Sequence, residues 1–194
     1  MIPFVQSMEF QFFTPLGYQI FGHFFYPSIP THRTIILCAP PHSSMDFFLL
    51  NPPITWKNWL FLGCNVVLFD PLGSGKSWGL LDWGGPEDQG SIQSLTGWLR
   101  EQKKEDLLFV CFGASIMSTI PLHTEHPIIA FDPVYTPDQL IQAYPELSKK
   151  THHFWKEREL SDTILREITI LPSNVKSFRE KLSRRQILLR KTFC

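Results

Sequence analysis

Five consecutive residues, Gly113-Ala114-Ser115-Ile116-Met117, carry the sharpest chemical signal in this 194-residue chain. An apolar run from Leu107 to Phe112, the length of a short buried β-strand, leads into them, and Ile116 to Ile120 continues the chain as a helix. A serine on a sharp strand-to-helix turn has its hydroxyl held out from the sheet, as a nucleophile for acyl transfer requires. The turn strains the serine backbone, so small residues are needed two positions to either side. Gly113 meets that need, and Met117 departs from it.

A second stretch, Asp70-Pro-Leu-Gly-Ser-Gly-Lys-Ser77, invites comparison with a phosphate-binding loop. The full pattern requires a glycine five residues before Gly75. Asp70 stands there, and its carboxylate would set negative charge against any phosphate. The segment is therefore expected to be a strand-to-helix loop in which Gly73 and Gly75 permit tight turns.

The four cysteines, Cys38, Cys64, Cys111 and Cys194, have no Cys-x-x-Cys spacing and no histidine at zinc-finger distance. Cys38 and Cys111 fall within buried strand runs, where a free thiol behaves as a small hydrophobe. This pattern predicts a reducing compartment, with neither disulfides nor a metal site, and nothing in the chain points to a cofactor.

Composition bounds the class. The length suits one domain over residues 1–194, and 43% hydrophobic content supplies a good core. Eighteen basic residues balance eighteen acidic ones, which gives no reason to expect a nucleic-acid partner. The apolar N-terminus carries Glu9, Pro15 and Gly17 and lacks the basic start of a signal peptide. No window is long and apolar enough for a membrane span. The expected location is the cytoplasm.

The elements that must position Ser115 follow in order. Met8 to Phe13 and Tyr18 to Tyr26, joined by Thr14-Pro-Leu-Gly17, predict a β-hairpin. Thr34 to Ala39 and Asn65 to Phe69 are continuous apolar runs, as expected for parallel strands covered on both faces. The aromatic stretch Asp46 to Leu62 is broken by Pro52-Pro53 and predicts a helix around Trp56 to Leu62, capped by Gly63. Pro86 to Gln102 predicts a helix with Pro86, Glu87 and Asp88 at its start and Ile92, Leu95, Trp98 and Leu99 on one face. Pro127 to Phe131 and Ile168 to Leu171 predict short strands. His123 and His126 are expected in a surface loop, and His152 and His153 on a solvated helix face. Alternating strands and helices argue a three-layer α/β/α sandwich with a mostly parallel sheet.

In this order the pieces resemble the α/β-hydrolase superfamily. Asp70-x-x-Gly73-x-Gly75-x-Ser77 resembles the loop that follows an early strand in that family. Phe10 to Pro27 is similar to the N-terminal hairpin of its serine-aminopeptidase-like and dienelactone-hydrolase-like branch. Gly84 to Arg100 is similar to the loop and helix before the elbow, and Cys111 to Met117 stands at the elbow itself. Cys38-Ala-Pro-Pro-His-Ser-Ser44 looks closer to the corresponding loop of type II thioesterases. The resemblance covers roughly Phe10 to Pro133, about two thirds of the chain.

The resemblance implies that Ser115 is the nucleophile, with the backbone N–H groups of Ile116 and His42 as oxyanion donors. The family's order then requires an acid and a late histidine. Asp132 is the candidate acid, and His152 or His153 the candidate base, because no histidine follows residue 153. The last strands are expected to be missing or degenerate, as in a scaffold shortened at its C-terminus. Residues 134–170 would form a lid or helical insertion. Residues 174–194 would form a basic helix that packs on the sheet or, on a second reading, touches a membrane surface or a partner. Trp78, Trp83, Phe47 and Phe48 flank the site loops as acyl-pocket or core residues. The implied activity is hydrolysis of a small ester or thioester. The alternative is a catalytically silent relative that serves as a binding module.

Overall fold

The computed structural model describes residues 6–29, 31–40, 43–50, 56–79, 84–115, 119, 122, 125–131 and 169–171. Within them seven strands form one sheet: β1 (Gln6–Phe13), β2 (Gln19–Tyr26), β3 (Arg33–Cys38), β4 (Asn65–Phe69), β5 (Asp106–Phe112), β6 (Ile128–Phe131) and β7 (Thr169–Leu171). Their order across the sheet is β1-β2-β4-β3-β5-β6-β7. β1 and β2 are an antiparallel hairpin, β2 joins β4 antiparallel, and every pairing from β4 to β7 is parallel.

The hairpin turns where the sequence places it. Gly17 takes φ +83°, its N–H donates to the Thr14 carbonyl at 2.8 Å, and the left-handed conformation costs a glycine little. The parallel strands show side-chain alternation directed to two cores. Ile36, Cys38, Val67, Phe109 and Cys111 point to one face, with Ile92, Leu95 and Leu99 of α3 (Pro86–Glu101) packed on them. Ile35, Leu37, Val66, Leu68 and Val110 point to the other, under α1 (Asp46–Leu50) and α2 (Trp56–Phe61), which contribute Phe48, Trp59 and Leu60. This is the expected three-layer sandwich. β5, with β3 on one side and β6 on the other, has six of its seven residues buried or nearly so.

Two local expectations change. The helix α1 was not foreseen, because five residues are too few for a helical period to be visible; Ser44 starts it, its hydroxyl accepting the Asp46 N–H at 3.2 Å. His126 is not on the surface. It is buried, its ring lies 5.9 Å from that of Phe109, and its Nε2 has no hydrogen-bond partner among the described residues. Just before β6 the His126 N–H donates to the Leu122 carbonyl at 2.9 Å.

Burial, seconded by the charge of Arg100, holds the His126 imidazole below its ordinary pKa. The folded protein thus resists a proton that the unfolded chain accepts. Stability should be intact at about pH 7.5 and fall as pH drops through the unfolded value near 6.5 towards the lower folded one. His126→Leu should flatten that decline, checked by denaturant melts at about pH 7.5 and about pH 5.

Candidate active site

At the end of β5 the chain leaves the sheet through Gly113, whose φ is +58°, and enters a single 3-10 turn, Gly113–Ser115. That backbone angle favours glycine, which is why the small residue before the serine is required. The turn sets Ser115 at the carboxyl end of the middle parallel strand, beside the end of β3, where ligand sites lie in open α/β sheets.

Ser115 is buried, and all its hydrogen bonds among the described residues go to backbone. Oγ accepts the Phe112 N–H at 2.9 Å. Its single proton is shared between the carbonyls of Phe112 at 2.9 Å and Cys38 at 3.0 Å. A carbonyl takes a hydrogen bond but cannot remove the proton, so this arrangement holds the hydroxyl without activating it. Beneath the turn, Cys111 Sγ and Thr119 Oγ1 share a hydrogen bond at 3.1 Å. The neighbouring Cys38 thiol is pushed well above its usual pKa by burial and by Cys111. Cys38, Cys64 and Cys111 are free and buried.

Asp70 is the residue whose role the sequence concealed. It is 1% exposed. One carboxylate oxygen accepts the Lys76 N–H at 2.8 Å, and the other accepts the Met45 N–H at 2.8 Å. The first bond closes the Gly73–Gly75 turn over the carboxylate, and the second ties that turn to the segment that follows β3. Gly75, at φ +54°, lies so close that a Cβ there would collide with the Asp70 carboxylate. Ser77 completes the loop, its hydroxyl accepting the Phe21 N–H at 2.9 Å and fixing it to β2. The place a phosphate would occupy is filled by the protein's own carboxylate, and Lys76 turns its ammonium over the Phe21 ring at 4.3 Å. The glycine, lysine and serine here serve a structural clip.

The flanking aromatics divide. Phe48 is fully buried, and Phe47 and Phe48 pack on Phe112, which stacks on Phe131 at 4.8 Å. They support the floor under the turn. Trp78 is 57% exposed, its indole N–H donating to Gln19 Oε1 at 2.8 Å. Ile116, His42, Asp132, His152, His153, Trp83 and His123 lie outside the described residues, as do residues 174–194 and all of 134–170 except Thr169 and Ile170, which belong to β7. Among the described residues no group of three or more His, Cys, Asp or Glu could hold a metal ion. No helix among them is long and apolar enough to cross a membrane.

No protein-family model matches the chain, and no curated protein sequence matches it. Solved structures do. An esterase from Pyrococcus furiosus superposes with a TM-score of 0.69 at 16% identity, over 96% of this chain and 92% of its own. An α/β serine hydrolase without a lid from Xanthomonas campestris gives 0.61 at 17% identity, over 95% and 93%. An α/β serine hydrolase homologue from Coxiella burnetii gives 0.59 at 17% identity, over 96% and 97%. With the parallel sheet of this order and a serine turn at the end of its middle strand, these likenesses show that the chain has the fold of the α/β-hydrolase superfamily.

Proposed function

We propose that the protein is a serine hydrolase that cleaves a small ester or thioester through an acyl-enzyme at Ser115. The observation that supports this reading most is the placement of Ser115. A Gly-x-Ser turn at φ +58° leaves the middle strand of an α/β-hydrolase fold at its carboxyl end, where a nucleophile belongs. In the reaction the hydroxyl leaves its two carbonyl partners and attacks the acyl carbon. His152 or His153 takes the proton, and Asp132 orients that imidazole. The N–H groups of Ile116 and His42 hold the oxyanion until the alcohol or thiol departs, and water then releases the acid. The clip between Asp70 and Met45 steadies the segment next to that oxyanion loop. The chain acts as one domain in the cytoplasm, with residues 134–170 as lid or insertion and 174–194 as a basic helix.

A specific observation favours a second reading. The described partners of the Ser115 hydroxyl are all backbone, which suits a silent scaffold that binds and does not turn over. Fluorophosphonate labelling read by intact mass separates the two. One adduct on the wild type, lost when His152 and His153 are both replaced by alanine, supports the hydrolase. An unlabelled wild type, under conditions where an active esterase labels fully, removes it.

A further inference from the structure

The parallel strands begin at the edge of the sheet opposite Ser115, and there the structure holds a cavity of about 440 Å³. Five chain segments meet around it: Gln6 at the start of β1, Tyr26 and Ser28 at the end of β2, Thr31 before β3, Asn65 at the start of β4 and Lys104 before β5. Its volume lies within the range of small-molecule sites, about 300–1,000 Å³. β5 spans the sheet from this edge to the serine turn, and at about 3.3 Å per residue the two places are roughly 20 Å apart.

The walls are set firmly. Asn65 is 1% exposed and spends both side-chain N–H bonds inside the protein, on the Thr31 carbonyl at 2.9 Å and the Thr34 hydroxyl at 3.2 Å. The chain around Lys104 is fixed too. Lys103 takes φ +57° to end α3, and the Lys104 N–H donates back to the Leu99 carbonyl at 2.9 Å. The Lys104 ammonium lies 5.8 Å from the Phe24 ring and makes one long hydrogen bond, 3.3 Å, to the Thr31 carbonyl already used by Asn65. An ammonium has three donors, so two remain. Among the described residues no carboxylate pairs with Lys104, and none lines the cavity. Pro27 gives the lining an apolar patch, and the other lining groups are neutral hydroxyls and amides. Burial raises the Tyr26 phenol further above its usual pKa, so it stays a neutral donor and acceptor.

A half-buried cation without a counter-ion, set among neutral hydrogen-bonding groups, is the complement of an oxyanion carried on a hydroxylated body. We propose that this cavity binds a small organic anion, a carboxylate or phosphate on a polyol-like frame, with Lys104 as its charge partner. The site stands independently of any role for Ser115.

The test is a titration of the ¹⁵N-labelled full-length protein with gluconate, glucose 6-phosphate and glucose, followed by amide shifts. Saturable shifts at Ser28, Thr31, Asn65 and Lys104 are expected from at least one of the two anions, and its ratio to the other identifies the head group. Glucose should bind at least about tenfold more weakly, as the lost charge interaction implies. Lys104→Met keeps the stem over Phe24 and should weaken the anion at least about tenfold, whereas Lys104→Arg should stay within about threefold. Ser115→Ala should bind as the wild type does. Absence of saturable shifts from both anions, equal binding of glucose, an unchanged Lys104→Met, or loss of binding in Ser115→Ala would each overturn the proposal.

Discussion

Ser115→Ala should carry no fluorophosphonate adduct, hydrolyse p-nitrophenyl acetate at least about a thousandfold more slowly than the wild type, and be less stable by about 1–2 kcal/mol. The first two effects follow from removing the nucleophile. The third follows from its present partners. Oγ is the acceptor for the Phe112 N–H and the donor to the Cys38 carbonyl, so it joins the end of β5 to the end of β3. Alanine leaves a buried N–H without a partner, and that loss is felt whether or not the protein is an enzyme. Parallel measurement by labelling, turnover and urea denaturation therefore separates two roles of one atom. A hydrolase loses all three readouts. A silent scaffold has no labelling to lose and still loses stability. A variant as stable as the wild type would show that the backbone bonds of Ser115 contribute nothing.

Gly75→Ala should cost about 3–5 kcal/mol, a large share of a domain's stability. Two terms add. A left-handed φ costs an L-residue roughly 1–2 kcal/mol, and the new methyl meets the Asp70 carboxylate. Displaced from its place, that carboxylate surrenders one of the N–H groups of Lys76 and Met45, and a hydrogen bond to a charged group is worth about 1.5–3 kcal/mol. Asp70→Asn tests the same clip without altering backbone freedom. An amide has one oxygen, so one of the two N–H groups must face an N–H₂, and a loss of about 2–3 kcal/mol is expected. Guanidinium melts of both variants would check this, and a loss under about 1 kcal/mol in each would dismiss the clip as a source of stability. Because Met45 follows the proposed oxyanion loop, Asp70→Asn should also slow labelling of Ser115, measured at a temperature where the variant remains folded.

The frame was largely legible in the sequence, for reasons that can be named. The runs Ile35 to Cys38 and Val66 to Phe69 are apolar at every position, a pattern that a strand covered on both faces tolerates, and both lie in such strands. Pro86 and the acids after it fixed the start of α3, and the four apolar residues assigned to one face lie on its buried side. The sequence shows a carboxylate at Asp70 where a phosphate loop has a glycine. What the carboxylate does instead was hidden, because its partner Met45 lies in another loop and is reached through a backbone N–H that no side chain announces. His126 was misplaced for a related reason. A lone polar residue in a short connection reads as solvated, and only the closeness of Phe109 in the adjacent strand buries it. The cavity at the far edge of the sheet is assembled from the ends of five segments, none of which carries a motif.

The strand order also sets how the chain must reach its native state. The hairpin joins neighbours, Phe13 to Gln19, and can close within microseconds. The middle of the sheet cannot. Gly22 must find Phe69, and Cys38 must find Cys111, each across a long stretch of intervening chain. The entropy of closing those loops is spent before any parallel ladder returns energy, so the barrier to folding lies in docking β5 beside β3. Until it docks, DLLFVCF is an unpaired apolar strand open to the same strand of another molecule, so refolding competes with self-association.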